Sequence, residues 1–247
     1  MYRLDRRLSP EEFRETFLKV KAGDLKKKDH PWDALFREGK CTKPQLQGWA
    51  KDLYYWKTQV PIKDYGILRN CPYPDVRRMW LSHAIEEDGE DIIGGEHGPH
   101  PEYWLKFCEG VGLSREYVIN AEPLPAVKFA VDAWTHGAAK SWLVGVAMSE
   151  TGDMAKGIAQ TLEILRQHYS WIPESALEFW RLHSEVDVGH SQMSLDILAR
   201  YCTTRELQEE CTNAMLTYNN ILRVMRDAVY LAYVVEGVVL GQEAQAA

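Results

Sequence analysis

Along almost the whole chain, apolar residues recur at three- and four-residue steps, and no stretch alternates convincingly with a period of two. That pattern admits amphipathic helices and argues against a sheet. The punctuation agrees. Ser9-Pro10-Glu11-Glu12 offers a cap, a proline at the first helical position and acids in the first turn. Thr42-Lys43-Pro44 repeats the signature and predicts a long helix toward Pro61. Pro72 and Pro74 flank a break before "DVRRMWLSHAIEED". Residues 89–99, "GEDIIGGEHGP", hold four glycines and form the main loop, expected to be mobile. Helices follow from His100, over "PLPAVKFAVDAWTHGAAKSWLVGVAMSE" as one long apolar helix, to about Tyr169, and from Pro173. Thr203-Thr204-Arg205-Glu206 caps a last long helix. The prediction is an all-α bundle of about seven helices. One domain should span residues 1–240, and 241–247 should be a disordered tail.

Charge and cysteine usage narrow the function classes. A net charge of -7 argues against a nucleic-acid partner, and Lys26-Lys27-Lys28 reads as a solvated turn. The longest apolar run, "AVYLAYVVEGVVLG", is broken by Glu236 and is too short for a bilayer. The opening "MYRLDRRLSPEEF" does not read as a signal peptide. Five cysteines without a CxxC pair read as inert thiols in a reducing compartment, and they exclude a four-cysteine zinc site. A soluble cytoplasmic protein with no membrane contact is expected.

Chemistry concentrates in "FWRLHSEVDVGHSQMSL", residues 179–195. At about 100° per residue, His183, Asp187 and His190 fall within a wedge of about 60° on one helix face, with Glu185 opposite. Two imidazoles and a carboxylate on one stripe suit iron, manganese or zinc. A satisfied polar contact would look the same. Other carboxylates and a histidine can complete a site: Glu150 ends the apolar run "WLVGVAMSE", Glu86 and Glu87 end a helix, and His100 opens the next. A carboxylate in an apolar run is costly unless paired or metal-bound. Six N and O donors are what two iron ions need, with open positions left for dioxygen.

The segments "PIKDYGILRNCPYPDVRRMW", "LPAVKFAVDAW", "HYSWI" and "YCTTRELQEE" resemble those of the heme-oxygenase-like superfamily. Within it they are similar to the pyrroloquinoline-quinone synthase and TENA/THI-4-like families. The resemblance implies a compact seven-helix heme-oxygenase-like bundle around a central pocket, usually a homodimer. It implies further that Leu53, Glu87, His183, Tyr218 and Gly157 stand near places where the metal-free quinone synthases have Arg, His, Arg, Lys and His.

Those replacements resemble the ligand pattern of the heme-oxygenase-like diiron oxidases. By that resemblance the metal ligands are Glu86, His100, Glu150, His183, Asp187 and His190, with Glu87 or His97 as alternatives to Glu86 or His100. Glu86, Glu150, His183 and Asp187 are the catalytic set. The implied cofactors are two iron ions (Fe2+), with dioxygen as co-substrate and neither heme nor flavin. Asp33 and Gln160 stand near the tyrosine and lysine that a p-aminobenzoate-forming member consumes, which argues against that reaction. Tyr54, Tyr55, Trp56, Lys57 and Trp180 are candidate substrate-pocket residues, with Lys57 placed to pair with a substrate carboxylate. The expected activity is oxidation of a small metabolite, an amino acid or other carboxylate. The alternatives are a metal-free oxidase of a quinone-cofactor precursor and a non-catalytic helical binding protein.

Overall fold

The computed structural model describes residues 1–26, 30–149 and 154–245, with backbone alone at 25, 26, 154, 155 and 185–190. The described residues contain no strand and form eleven α-helices. The capping chemistry is where the sequence places it. In α1 (Pro10–Lys26), Ser9 N donates to Glu12 Oε2 at 2.8 Å while Glu12 N donates to Ser9 Oγ at 3.2 Å. This reciprocal pair satisfies two backbone donors that no helical carbonyl can reach. His30 caps the short α2 (Pro31–Arg37): its Nδ1 accepts from Trp32 N at 3.1 Å and its Nε2 lies 2.9 Å from Asp227.

The axis of the bundle is α3 (Lys43–Asn70), which packs against α4 (Pro74–Asp88), α5 (His100–Gly110), α7 (Pro125–Lys140) and α8 (Trp142–Ala147). The helix does not stop at Pro61 but runs 28 residues, with Pro61 buried inside it. A proline forfeits one intrahelical hydrogen bond, and packing on four helices outweighs that loss. Conversely, the apolar stretch expected as a single helix breaks at Ser141, which is extended at φ -147°. Asn70 at the end of α3 donates to the Ala139 carbonyl there.

The remaining helices are α6 (Arg115–Asn120), α9 (Met154–His168), α10 (Glu178–Tyr201) and α11 (Arg205–Tyr230). No described helix is long and apolar enough to cross a membrane. The tail expected to be disordered is packed through Gln245. Ala244 is fully buried, its carbonyl accepts from Ser114 N at 2.8 Å, and Gln47 donates to Gln245 Oε1 at 2.9 Å. Two sequence-distant partners, Ser114 and Gln47, hold it, and composition does not show them. All five cysteines are free and buried.

Two apolar clusters fill the bundle. One is built on Trp32, Phe36, Trp104, Phe107, Phe179 and Trp180, the other on Phe13, Phe17, Val60, Trp80, Trp134 and Tyr218. Each fully buried aromatic contributes about 1.5–3 kcal/mol by leaving water. Where the two clusters face each other they leave a cavity of about 670 Å³.

Candidate metal centre and active-site cavity

Three helices deliver the charged end of this cavity. On α4 the buried stripe is Val76, Trp80, His83, Ala84 and Glu87. It puts Glu87 on the inner face and leaves its neighbour Glu86, about 100° away, half-buried off that stripe. The loop after α4 folds back on itself. Asp91 N donates to His97 O at 3.1 Å and Gly95 N to Glu90 O at 2.9 Å. Gly89 turns the chain at φ +111°, where an added Cβ would meet Asp91 and the backbone of Pro99. The loop's two ends therefore meet, and His100, the first residue of α5, stands with its Nδ1 2.9 Å from Glu87 Oε2.

α10 supplies His183. Its Nδ1 lies 2.7 Å from the Phe179 carbonyl, which can only accept, so Nδ1 carries the proton and Nε2 keeps its lone pair. The ring packs on Phe179 at 4.0 Å and edge-on to His100 at 4.5 Å. Ligand atoms of Glu87, His100 and His183 lie within 4.8 Å of one another, all three residues buried.

Electrostatics fit a cation. Burial pushes the Glu87 carboxyl up, but His100, His83 and His183 overcome that and hold it well below the usual carboxylate range. Burial foremost, then His100, pushes His183 down to about 4. At neutral pH the cluster offers an anionic oxygen and a neutral imidazole lone pair, the protonation states metal ligands need.

Among the described residues it is Glu87, the stated alternative to Glu86, that groups with His100 and His183. His97 is half-buried and outside the group. Of the other expected ligands, Glu150 lies outside the described residues. Asp187 and His190 lie in α10 with only their backbone described.

Of the expected pocket residues, Trp56, Lys57 and Trp180 line the cavity. Tyr54 and Tyr55 do not. The stripe of α3 that faces the cavity is Trp49, Leu53, Trp56, Lys57 and Val60, and positions 54 and 55 fall off it. Tyr55 turns outward to hydrogen-bond Asp132. Leu53, Asp33, Gly157 and Tyr218 also border the cavity, whereas Gln160 is exposed. The sequence reading missed Trp104, Phe179 and Asn219. Trp104 was readable from the His100, Tyr103, Trp104, Phe107 stripe. Lys57 lies in an aromatic box, its Nζ 4.1, 5.0 and 4.4 Å from the Trp56, Trp104 and Phe179 ring centroids.

An all-α bundle built around a central cavity with histidine and carboxylate at one end is a heme-oxygenase-like architecture. The model of the TENA/THI-4/PQQC family matches residues 20–226, and the chain belongs to that family. A pyrroloquinoline-quinone synthase of Cronobacter sakazakii is 37% identical over 237 residues, 94% of this chain and 91% of that one. Among solved structures, a heme-oxygenase-like domain from Shewanella denitrificans superposes with a TM-score of 0.75 at 18% identity, covering 97% of this chain and 99% of that one. A TenA homolog from Pseudomonas syringae gives 0.71 at 13% identity, covering 92% and 99%.

Proposed function

We propose that the cavity is the active site of a metal-dependent oxidase acting on a small organic substrate, with Glu87, His100 and His183 as part of an iron centre. The chain is an oxidoreductase that uses dioxygen; the metal is the finer reading. The observation that carries it is the buried Glu87–His100–His183 group at the cavity wall. Iron bound there would supply the electrons and open positions that dioxygen needs to react with a closed-shell substrate. The chain's own part is definable. The Phe179 carbonyl fixes the tautomer and ring plane of His183. The self-bonded 89–99 loop brings His100 to Glu87. Trp104, Phe179, Trp180 and Trp134 wall the cavity with apolar surface. Lys57 places a cation on the same wall to meet an anionic substrate group.

The second reading, metal-free oxidation of a quinone-cofactor precursor, is favoured by the 37% identity to pyrroloquinoline-quinone synthases. The comparisons taken alone support it better than the first; the side chains at the cavity support the first. One experiment separates them. The protein is loaded with Fe(II) without oxygen, metal per chain is counted, and oxygen uptake is followed for wild type and His183→Ala. Stoichiometric iron that His183→Ala loses is the expected result. Trace iron in both proteins, with dioxygen consumed by metal-free protein once the quinone precursor is bound, would hand the site to the second reading.

A further inference from the structure

One helical turn from Glu87 begins a second buried group of polar side chains, none of which lines the cavity. It consists of Lys63 and Asp64 on α3, Trp80 and His83 on α4, and Ser149 just past α8, each no more than 2% exposed. Lys63 Nζ donates to Ser149 Oγ at 3.0 Å and pairs with Asp64 Oδ1 at 2.7 Å. The Trp80 indole donates to the same carboxylate oxygen at 2.9 Å. The other oxygen, Asp64 Oδ2, forms no hydrogen bond among the described residues, and His83 Nε2 stands 3.6 Å from it. The His83 ring packs edge-on to Trp80 at 5.5 Å.

Stability alone does not account for this arrangement, because an apolar pair of the same shape is often as stable as a buried ion pair. A buried carboxylate with one oxygen saturated and the other turned to an imidazole has a use where that imidazole must be held still. His83 and Glu87 are four residues apart on the inner stripe of α4, so their Cβ atoms are neighbours, about 5–6 Å apart. His83 is also one of the rings that keep Glu87 ionised. Metal ligands depend on the groups behind them for their orientation, and metal affinity changes when those groups are removed.

We propose that His83 is a positioning residue for the metal centre: Lys63 and Trp80 fix the Asp64 carboxylate, Asp64 fixes the His83 ring, and the ring holds the Glu87 carboxylate in its ligating orientation. The inference rests on the Glu87–His100–His183 group being a metal site, and it extends that site to residues outside the ligand group.

The test adds Co(II) without oxygen to the full iron-free chain, because the visible ligand-field bands of that ion report coordination geometry without turnover. Two variants are compared with wild type. His83→Leu removes the imidazole. Lys63→Met combined with Asp64→Asn removes both charges together and leaves Trp80 an acceptor. Each is expected to bind Co(II) about 10–100-fold more weakly and with altered bands. A merely structural role would shift the denaturant midpoint of the metal-free protein and leave affinity and bands where they were. Wild-type affinity or wild-type bands in either variant that folds would overturn the proposal. Loss of folding in both variants would also overturn it, since the group would then be a structural joint. A failure of the metal reading shows separately, in the wild-type chain: no Co(II) uptake, or uptake that His183→Ala leaves intact, would remove that reading and this inference with it.

Discussion

Asp52 and Glu87 are both buried carboxylates facing a basic side chain at hydrogen-bond distance, yet their surroundings differ. Asp52 is fully enclosed and spends its lone pairs on Lys51 Nζ at 2.7 Å, Leu124 N at 2.8 Å and Tyr233 OH at 2.5 Å. Lys51 in turn donates to the Glu122 carbonyl at 3.1 Å. Glu87 faces imidazoles instead of a fixed ammonium, and it opens on the cavity. A buried charge saturated by donors from three places in the chain is a joint. A buried charge held by titratable rings at a cavity wall is a site. Each prediction below tests that division.

The largest effect belongs to the joint. Asp52→Ala leaves the Lys51 ammonium buried without its counter-ion and takes an acceptor from Tyr233 and Leu124. The expected loss is roughly 3–5 kcal/mol of unfolding free energy, the cost of orphaning half of a buried ion pair. Glu87→Gln, which removes a buried charge and keeps the shape, should move stability by no more than about 1 kcal/mol while abolishing metal binding. Denaturant midpoints and metal counts on both variants check this. Equal destabilisation would erase the distinction.

Acid comes next. The folded-state pKa of His183 lies at about 4, beneath its ordinary value of 6.5. Above 6.5 neither folded nor unfolded protein protonates it, and its stabilising contribution is complete. As the pH falls from 6.5 toward 4 the unfolded chain takes up a proton that the folded chain refuses, and stability declines by up to about 3 kcal/mol. Glu87, depressed well below 4.5, acts in the same direction at lower pH: its contribution is present above that value and lost as the pH falls through its folded pKa. Iron-free protein should therefore lose stability from pH 6.5 downward, and His183→Gln should flatten the upper part of that curve. A wild-type curve level between pH 6.5 and 4.5 would mean that the imidazole is not desolvated.

How much of this was legible beforehand differs between the two regions. Helix starts were readable because capping is local: Ser9 with Glu12 and the Thr204 cap each lie within one turn. Where the α3 helix ends and where the apolar stretch breaks were not readable, because Pro61 and Ser141 are decided by what packs on them. His183 and His100 could be singled out from residue type and spacing. The choice between Glu86 and Glu87 needed the Val76, Trp80, Ala84 stripe, which a search for acidic residues alone does not weigh. The Asp52 joint was not anticipated, since Leu124 and Tyr233 are 72 and 181 residues away. Tyr54 and Tyr55 are expected in the pocket because the resemblance puts their segment in its wall, whereas the register of α3 turns both off the cavity-facing stripe.

A third prediction presses on the joint from its other side. Gly48 lies against the Tyr233 ring, and an added methyl would fall on ring atoms that lead to the hydroxyl bonded to Asp52. Gly48→Ala gains helix propensity but overpacks a rigid contact. A net destabilisation of about 1–3 kcal/mol is expected, with iron content unchanged. Lost iron at unchanged stability would mean that joint and site are coupled.

The smallest effect is the most discriminating for the cavity. Tyr55 and Trp56 are adjacent on α3, but only Trp56 borders the cavity. The Tyr55 hydroxyl bonds Asp132 at the surface, and Lys128 sits 4.7 Å over its ring. Tyr55→Phe removes one exposed hydrogen bond and should cost no more than about 1 kcal/mol. Iron binding and oxygen uptake should stay at the wild-type level, because the side chain does not line the cavity and is not in the Glu87–His100–His183 group. Paired with Trp56→Phe, a change in a cavity-lining ring one residue away, this variant tests the register of α3 itself. If Tyr55→Phe altered oxygen uptake while Trp56→Phe did not, the cavity-facing stripe would be rotated by one position, and the division of α3 into a structural and a functional face would have to be redrawn.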